Sequence, residues 1–272
     1  YYDGVADTVE IWNEADLVGN KYAKNSESPD KFASFYKAAA IGALDAGTDV
    51  KVMFGGFAGY NKSYIKRFLS NDVSEFSDIY NYHDYSANTV YTEDNLFTRL
   101  SLHQSLADEY GFANKEIRNT EFGKFFYDCA DESGNINIEE QKNQARYDIK
   151  ASIYNLANGA DFSYYFLHGK YNDGVLGDID SFGNMKRTYS AISAFTNALG
   201  NCKYYGVLNG LPSSAEGYVF YDNAINESVV CLWSTSKTSV NLKLDADSVT
   251  HIDFMGNSNV LSSVNGSYSV ML

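Results

Sequence analysis

Two glutamates and the residues around them carry the chemistry this sequence offers. Glu14 follows the β-prone run Thr8–Trp12, and Glu121 follows the run Lys115–Thr120. Each sits in an apolar setting, with Ile11 and Trp12 before the first and Phe122, Phe125 and Phe126 after the second. Carboxyl groups at two strand ends suit the cleavage of a glycosidic bond, which needs one proton donor of raised pKa and one ionised nucleophile or base. The other strand ends are also rich. Asn13 precedes Glu14, a Gly55–Gly59 loop follows Val50–Phe54, His83 and Tyr85 follow Asp78–Tyr82, and Tyr165, Phe166 and His168 surround the fifth run. A second Asn-Glu pair, Asn226-Glu227, lies in a different context and has no assigned role, so position after a strand matters more than the dipeptide.

Such side chains converge when parallel strands present their C-terminal ends on one rim, as in an α/β barrel. The first two hundred residues fit that demand with five strand–helix units in succession. The strands are expected at Thr8–Trp12, Val50–Phe54, Asp78–Tyr82, Lys115–Thr120 and Phe162–Leu167. Their helices are expected near Pro29–Ala46, Ser63–Leu69, Asn95–Tyr110, Ile138–Asn158 and Lys186–Leu199. In the first helix Ser28-Pro29-Asp30 reads as a cap, a first-turn proline and a first-turn acid, and Phe32, Phe35, Tyr36 and Ala39 share a face. Beyond Gly200 the texture changes to short β-prone runs: Tyr204–Leu208, Gly217–Tyr221, Val229–Trp233, Val240–Leu244, Thr250–Phe254 and Ser267–Leu272. Gly, Asn and Ser turns at about ten-residue spacing predict an antiparallel β-sandwich. The expected organisation is α/β, with a partial (β/α)8 barrel over 1–200 and a sandwich over 201–272.

Composition narrows the partners. The 272 residues carry 21 Lys+Arg against 35 Asp+Glu, a formal charge of −14 that repels nucleic acid and anionic lipid. No apolar run is long enough to span a membrane. Aromatics make up 15%, with 23 Tyr and 17 Phe, which suits surfaces that hold hydroxyl-rich ligands and equally suits the packing of strands. Cys129, Cys202 and Cys231 form no C-x-x-C pair and read as structural thiols rather than a disulfide framework or a zinc site.

The motifs then resemble a known group. Val9-Glu10-Ile11-Trp12-Asn13-Glu14 is similar to the end of barrel strand four in retaining glycoside hydrolases of clan A. Asn119-Thr120-Glu121-Phe122-Gly123 resembles their strand-seven nucleophile segment, and His83-Asp84-Tyr85 their strand-six His-x-Tyr. The interval between Glu14 and Glu121 holds the two further strand–helix units that this order requires, and Val249–Asn257 looks like the sandwich of family 39 relatives. The resemblance implies Glu14 as acid/base and Glu121 as nucleophile. It implies Asn13 on the sugar 2-hydroxyl, Tyr85 orienting Glu121, His83 lining the acid/base side, and Trp12 among the substrate contacts. The strand-eight Trp of the clan is absent, leaving Tyr165, Phe166 or His168 to form that wall. The numbering also implies that strands one to three, with their strand-two basic residue, precede Tyr1: this chain is expected to be a fragment that is inactive alone.

Other chemistries find no motif. There is no G-x-S-x-G, P-loop, H-E-x-x-H or dinucleotide fingerprint, and no cofactor is called for. Asp173, Asp178 and Asp180 share a Gly-rich loop, but their spacing fits no EF-hand, and a solvated loop is the expectation. The expected partner is an oligo- or polysaccharide and the expected location extracellular or secreted. The competing reading is a catalytically silent glycan-binding protein on a glycosidase scaffold, and transglycosylation would use the same residues as hydrolysis.

Overall fold

A computed structural model describes residues 6–17, 28–47, 49–58, 61–85, 93–124, 137–166, 177–180 and 182–272. The chain divides into two compact units, 1–125 with 154–167, and 126–153 with 168–272. His168, Cys129, Asp173 and most of the loops after the third, fourth and fifth strands lie outside the described residues.

The first unit is built on a parallel sheet of β1 (Thr8–Ile11), β2 (Lys51–Phe54), β3 (Ile79–Asp84), β4 (Glu116–Phe122) and β5 (Phe162–Tyr165), in sequence order. Helices α1 (Ser28–Asp45), α2 (Lys62–Leu69) and α3 (Glu93–Glu109) alternate with its strands, and the sheet curls into half of a barrel. All six residues of β3 are buried, as a strand covered on both faces requires. α1 buries Phe32, Ala33, Tyr36 and Ala40. Phe35, expected on that face, is exposed and instead meets Trp12 edge-on at 5.7 Å. The buried stripe is therefore turned slightly from the expected one. Phe54 packs against Tyr36, Phe57, Phe68, Tyr80 and Phe112 at ring distances of 5.3–6.1 Å, so much of the aromatic content fills the helix–sheet layer. Asn61 caps α2, its Oδ1 accepting the Tyr64 N–H at 3.0 Å.

Alternation along the strands sorts side chains into two layers. Tyr82 and Asn119 face the helices. Tyr82 stacks on His103 at 4.4 Å and donates its hydroxyl to Asn155 Oδ1 at 2.7 Å, while the Asn119 and Asn155 amides pair at 2.8 Å. The opposite face carries Thr8, Glu10, Asn81, Arg118 and Thr120: Arg118 reaches Thr8 at 3.1 Å, and the Thr120 hydroxyl donates to Asn81 Oδ1 at 2.9 Å. Strict alternation would turn Glu121 back towards the helices. The register instead shifts between Tyr82 and His83, which pairs His83 with Glu121 and leaves Thr120 extra. This bulge turns Thr120 and Glu121 to the same face.

The second unit holds most of α4 (Ile138–Ala157), whose last turn belongs to the first unit, together with α5 (Arg187–Leu199) and seven strands. β6 (Lys203–Val207), β7 (Ala215–Asp222) and β8 (Glu227–Ser234) form one antiparallel sheet. β9 (Ser239–Leu242) pairs with β12 (Tyr268–Met271), and β10 (Ser248–Ile252) with β11 (Ser258–Ser262). Val240, Leu242, Tyr268 and Val270 form a small core, with Leu208, Leu211 and Leu232 packed on it. Lys150 of α4 lies over the Trp233 ring and Arg146 over Phe254, at 5.3 Å each. β11 was not foreseen. Its hairpin closes on Asp253, which accepts N–H bonds from Met255 at 2.9 Å and Asn257 at 3.0 Å, with Gly256 at φ +92°. Asp180 closes the same Asp-x-x-Gly-Asn turn, accepting from Phe182 and Asn184 at 2.9 and 2.8 Å, which gives this carboxylate a structural task. Cys202 and Cys231 are free thiols, and burial pushes Cys231 up to about 12, which makes it inert. No described helix is long and apolar enough to cross a membrane.

Asn155 is fully buried and its Oδ1 is the acceptor for the Tyr82 hydroxyl. Asn155→Ala is expected to strand Tyr82 and Asn119, at roughly 1–3 kcal/mol for each unsatisfied group. Urea unfolding checks this, and a change below about 0.5 kcal/mol would contradict it.

Candidate active site

The rim at the C-terminal ends of the strands is assembled by backbone first. After β1 the chain makes two left-handed bends, Trp12 at φ 75° and Glu14 at φ 43°, each costing on the order of 1–3 kcal/mol for a residue with a Cβ. The loop after β2 holds these bends. Gly55 N–H donates to Ile11 O at 2.8 Å, Glu14 N–H donates to Gly56 O at 3.1 Å, and Ala58 N–H donates to Asp16 Oδ1 at 3.0 Å. Neither glycine has room for a side chain. A Cβ on Gly55 would lie 2.3 Å from Trp12 O, and one on Gly56 would lie 2.1 Å from the His83 ring.

The kink delivers Glu14 and the bulge delivers Glu121 to the same edge of His83, the Nδ1 edge. His83 Nδ1 lies 3.0 Å from Glu14 Oε1 and 3.7 Å from Glu121 Oε2, while Nε2 lies 3.7 Å from Glu10 Oε1, an ion-pair rather than a hydrogen-bond distance. Tyr85 donates its hydroxyl to Glu121 Oε2 at 2.9 Å. The His83 side chain is wholly buried, whereas those of Glu14 and Glu121 keep 18% and 24% exposure, enough to meet a ligand. Burial alone would push His83 down, but Glu10, Glu14 and the charge of Glu121 together raise it to about 9. The ring is an imidazolium at neutral pH. It helps to push His103, the next ring outward, down to about 3, behind burial and the charge of Arg99. Burial holds the Glu121 carboxyl above the ordinary range, Glu14 and Glu10 add to this, and the His83 charge and Tyr85 hydroxyl counter it.

Glu14, His83 and Glu121 each offer one donor atom, and these atoms lie within 4.8 Å of one another. A divalent cation could use the set only after His83 gives up its proton. Until about pH 9 the imidazolium supplies the positive charge between the two carboxylates. What the arrangement offers chemically is therefore a close pair of carboxyl groups in unlike surroundings, one bridged directly to a cation and the other buried and hydrogen-bonded by a phenol.

Of the residues singled out from the sequence, Glu14, His83, Tyr85 and Glu121 come together. Trp12 and Asn13 lie beside Glu14 on the exposed bend. Tyr165 packs on Phe122 at 5.8 Å, and Phe166 lies edge-on to Tyr85 at 6.3 Å. Glu10 was not anticipated, although its place two residues before Trp12 on the same face as Thr8 was the available signal.

No protein-family model matches the sequence, and no curated protein matches it. Solved structures do. A family 39 glycoside hydrolase from the gut symbiont Bacteroides cellulosilyticus aligns with TM-score 0.67 and 19% identity over 97% of this chain and 55% of its own. A family 30 endoxylanase from Clostridium papyrosolvens aligns with TM-score 0.62 and 16% identity over 98% of this chain and 62% of its own. A family 51 α-L-arabinofuranosidase from Bifidobacterium longum aligns with TM-score 0.60 and 14% identity over 97% and 64%. The likeness is one of fold, a scaffold shared with clan A glycoside hydrolases, and the chain spans little more than half of the first of these structures.

Because His83 is charged when folded, its ion cluster stabilises the fold fully below the ordinary histidine value of about 6.5, and that contribution is lost as pH rises through about 9. NMR titration of the His83 imidazole, assigned with His83→Gln, is expected to give a midpoint near 9 and a melting temperature that falls across the same window. A ring already neutral at pH 7.5 would contradict it.

Proposed function

We propose that this chain carries the acid/base and nucleophile of a retaining glycosidase that cleaves β-linked glycosides by double displacement. The observation that carries the reading is the proximity of Glu14 and Glu121, with donor oxygens within 4.8 Å of one another beside His83 Nδ1. Retaining enzymes keep their carboxyl groups about 5–5.5 Å apart for direct attack, whereas inverting enzymes need about 6.5–9.5 Å to admit water. The glycoside hydrolase scaffold of the structural neighbours supports the same reading at the level of fold.

In the proposed mechanism Glu14 protonates the departing oxygen while Glu121 attacks the anomeric carbon. Glu14 then takes a proton from the water that releases the sugar. Tyr85 holds Glu121 ionised against the burial that opposes it, and its hydroxyl must release Glu121 Oε2 as the ester forms. Asn13 meets the sugar 2-hydroxyl, and Trp12 and Phe166 offer aromatic surface. The remaining strands of the barrel, numbered one to three with this chain supplying four to eight, come from the rest of the full-length protein. The sheets after Leu199 form the appended β-sandwich. The substrate is an oligo- or polysaccharide met outside the cell.

In the full-length protein Glu14→Ala is expected to lower kcat/KM on a poor leaving group by about 10²–10⁴. On a 2,4-dinitrophenyl glycoside, whose departure needs no proton, added azide should raise turnover by attacking the glycosyl-enzyme and give a glycosyl azide with the configuration of the substrate. Glu121→Ala should abolish hydrolysis, with azide giving the opposite anomer. Glycan binding without hydrolysis in the unmutated protein would favour a silent scaffold instead.

A further inference from the structure

We infer that Glu10 is a positioning residue of this site, the carboxylate that locks the Gly56 loop and His83 in place and so aims Glu14. The inference rests on the glycosidase reading and adds a residue to it. Glu10 lies on β1 four residues before Glu14, yet its contacts are to other strands. Its Oε1 accepts the Gly56 N–H at 2.9 Å, lies 3.7 Å from His83 Nε2 and stands 3.4 Å from the Thr120 hydroxyl on the bulge. One oxygen thus touches the loop after β2, the end of β3 and the bulge in β4.

The consequence for Glu14 runs through two short links. Gly56 presents its carbonyl to the Glu14 N–H at 3.1 Å, at the residue whose φ of 43° needs holding. His83 presents Nδ1 to the Glu14 carboxylate at 3.0 Å, and its opposite edge, Nε2, faces Glu10. The Gly56 backbone abuts the same ring edge so closely that no Cβ fits between them. Loop and ring are therefore seated against each other, and Glu10 holds both. The titratable groups facing His83 are the carboxylates of Glu10 and Glu14 from β1 and its bend, that of Glu121 from β4, and the neutral His103 ring from α3. The Glu10 oxygen is also bonded to backbone on this rim. A strand carboxylate with no task would face solvent, whereas the Glu10 side chain is only 26% exposed.

A positioning role for the acid/base has a kinetic signature that a merely structural role lacks. A 2,4-dinitrophenolate departs without a proton, whereas a phenolate needs one, so misplacing the proton donor harms only the second. The experiment compares kcat/KM for paired 2,4-dinitrophenyl and phenyl β-glycosides of xylose, glucose and galactose, using full-length protein and its Glu10→Gln and Glu14→Ala variants. Glu10→Gln keeps the shape and removes the charge. It is expected to lower kcat/KM on the phenyl glycoside about ten- to a hundredfold and to change the dinitrophenyl value by less than about threefold, as a displaced acid does. Its melting temperature should stay within a few degrees of the parent. An equal loss on both substrates, or no loss on either, while Glu14→Ala retains the split, would overturn the role of Glu10 alone. Absence of the split in Glu14→Ala would overturn the acid/base reading of Glu14 and this inference with it.

Discussion

Three carboxylates around one buried imidazole is the arrangement on which the rest of this rim depends. Glu10, Glu14 and Glu121 come within 3.0–3.7 Å of His83, and carboxylates gathered this closely would repel one another were no cation among them. The imidazolium offsets that repulsion. It is bonded to Glu14 and only near Glu121, which Tyr85 bonds instead. Two carboxyl groups of the same chemistry thereby receive unlike surroundings, one beside a cation and the other beside a phenol.

Backbone devices bring the groups together. The bulge at Thr120 rotates Glu121 off the helix-facing side, and the bends at Trp12 and Glu14 turn the chain over the rim. Both are conformations a free peptide would avoid. They persist because neighbours over-determine them: Asn81 bonds Phe54 O at 3.1 Å and accepts from Thr120 at 2.9 Å, linking β2, β3 and β4 below the site. Gly55 and Gly56 let two backbones and a ring approach without Cβ atoms between them. Strain at the rim is thus tied to order in the buried layers beneath it.

Much of this was legible in the residues. Five β-prone runs, each followed by a helical pattern, mark the half-barrel, and acids and a histidine directly after those runs mark the rim. What was not legible follows from physics that acts across strands. Glu10 reads as a surface charge on a short strand until its partners on β2, β3 and β4 are known. The bulge has no local signature, so alternation alone would have sent Glu121 to the wrong face. Tyr165 and Phe166 differ by one position, and the strand ends between them, which decides that Phe166 approaches Tyr85. The stripe on α1 was misplaced for a similar reason, because Phe35 meets Trp12 on the bend rather than the sheet. β11 is too short and polar to announce itself, and the Asp253 turn that creates it is recognisable only beside its twin at Asp180.

The measurement that tests the central claim most directly is covalent trapping. The full-length protein would be incubated with a panel of 2,4-dinitrophenyl 2-deoxy-2-fluoroglycosides, in which the fluorine slows breakdown of a glycosyl–enzyme ester, and digested for peptide mass spectrometry. One fluoroglycosyl unit is expected on the peptide bearing Glu121, with loss of activity in step with labelling. An adduct on a different residue, or no adduct with any sugar while glycan binding persists, would contradict it.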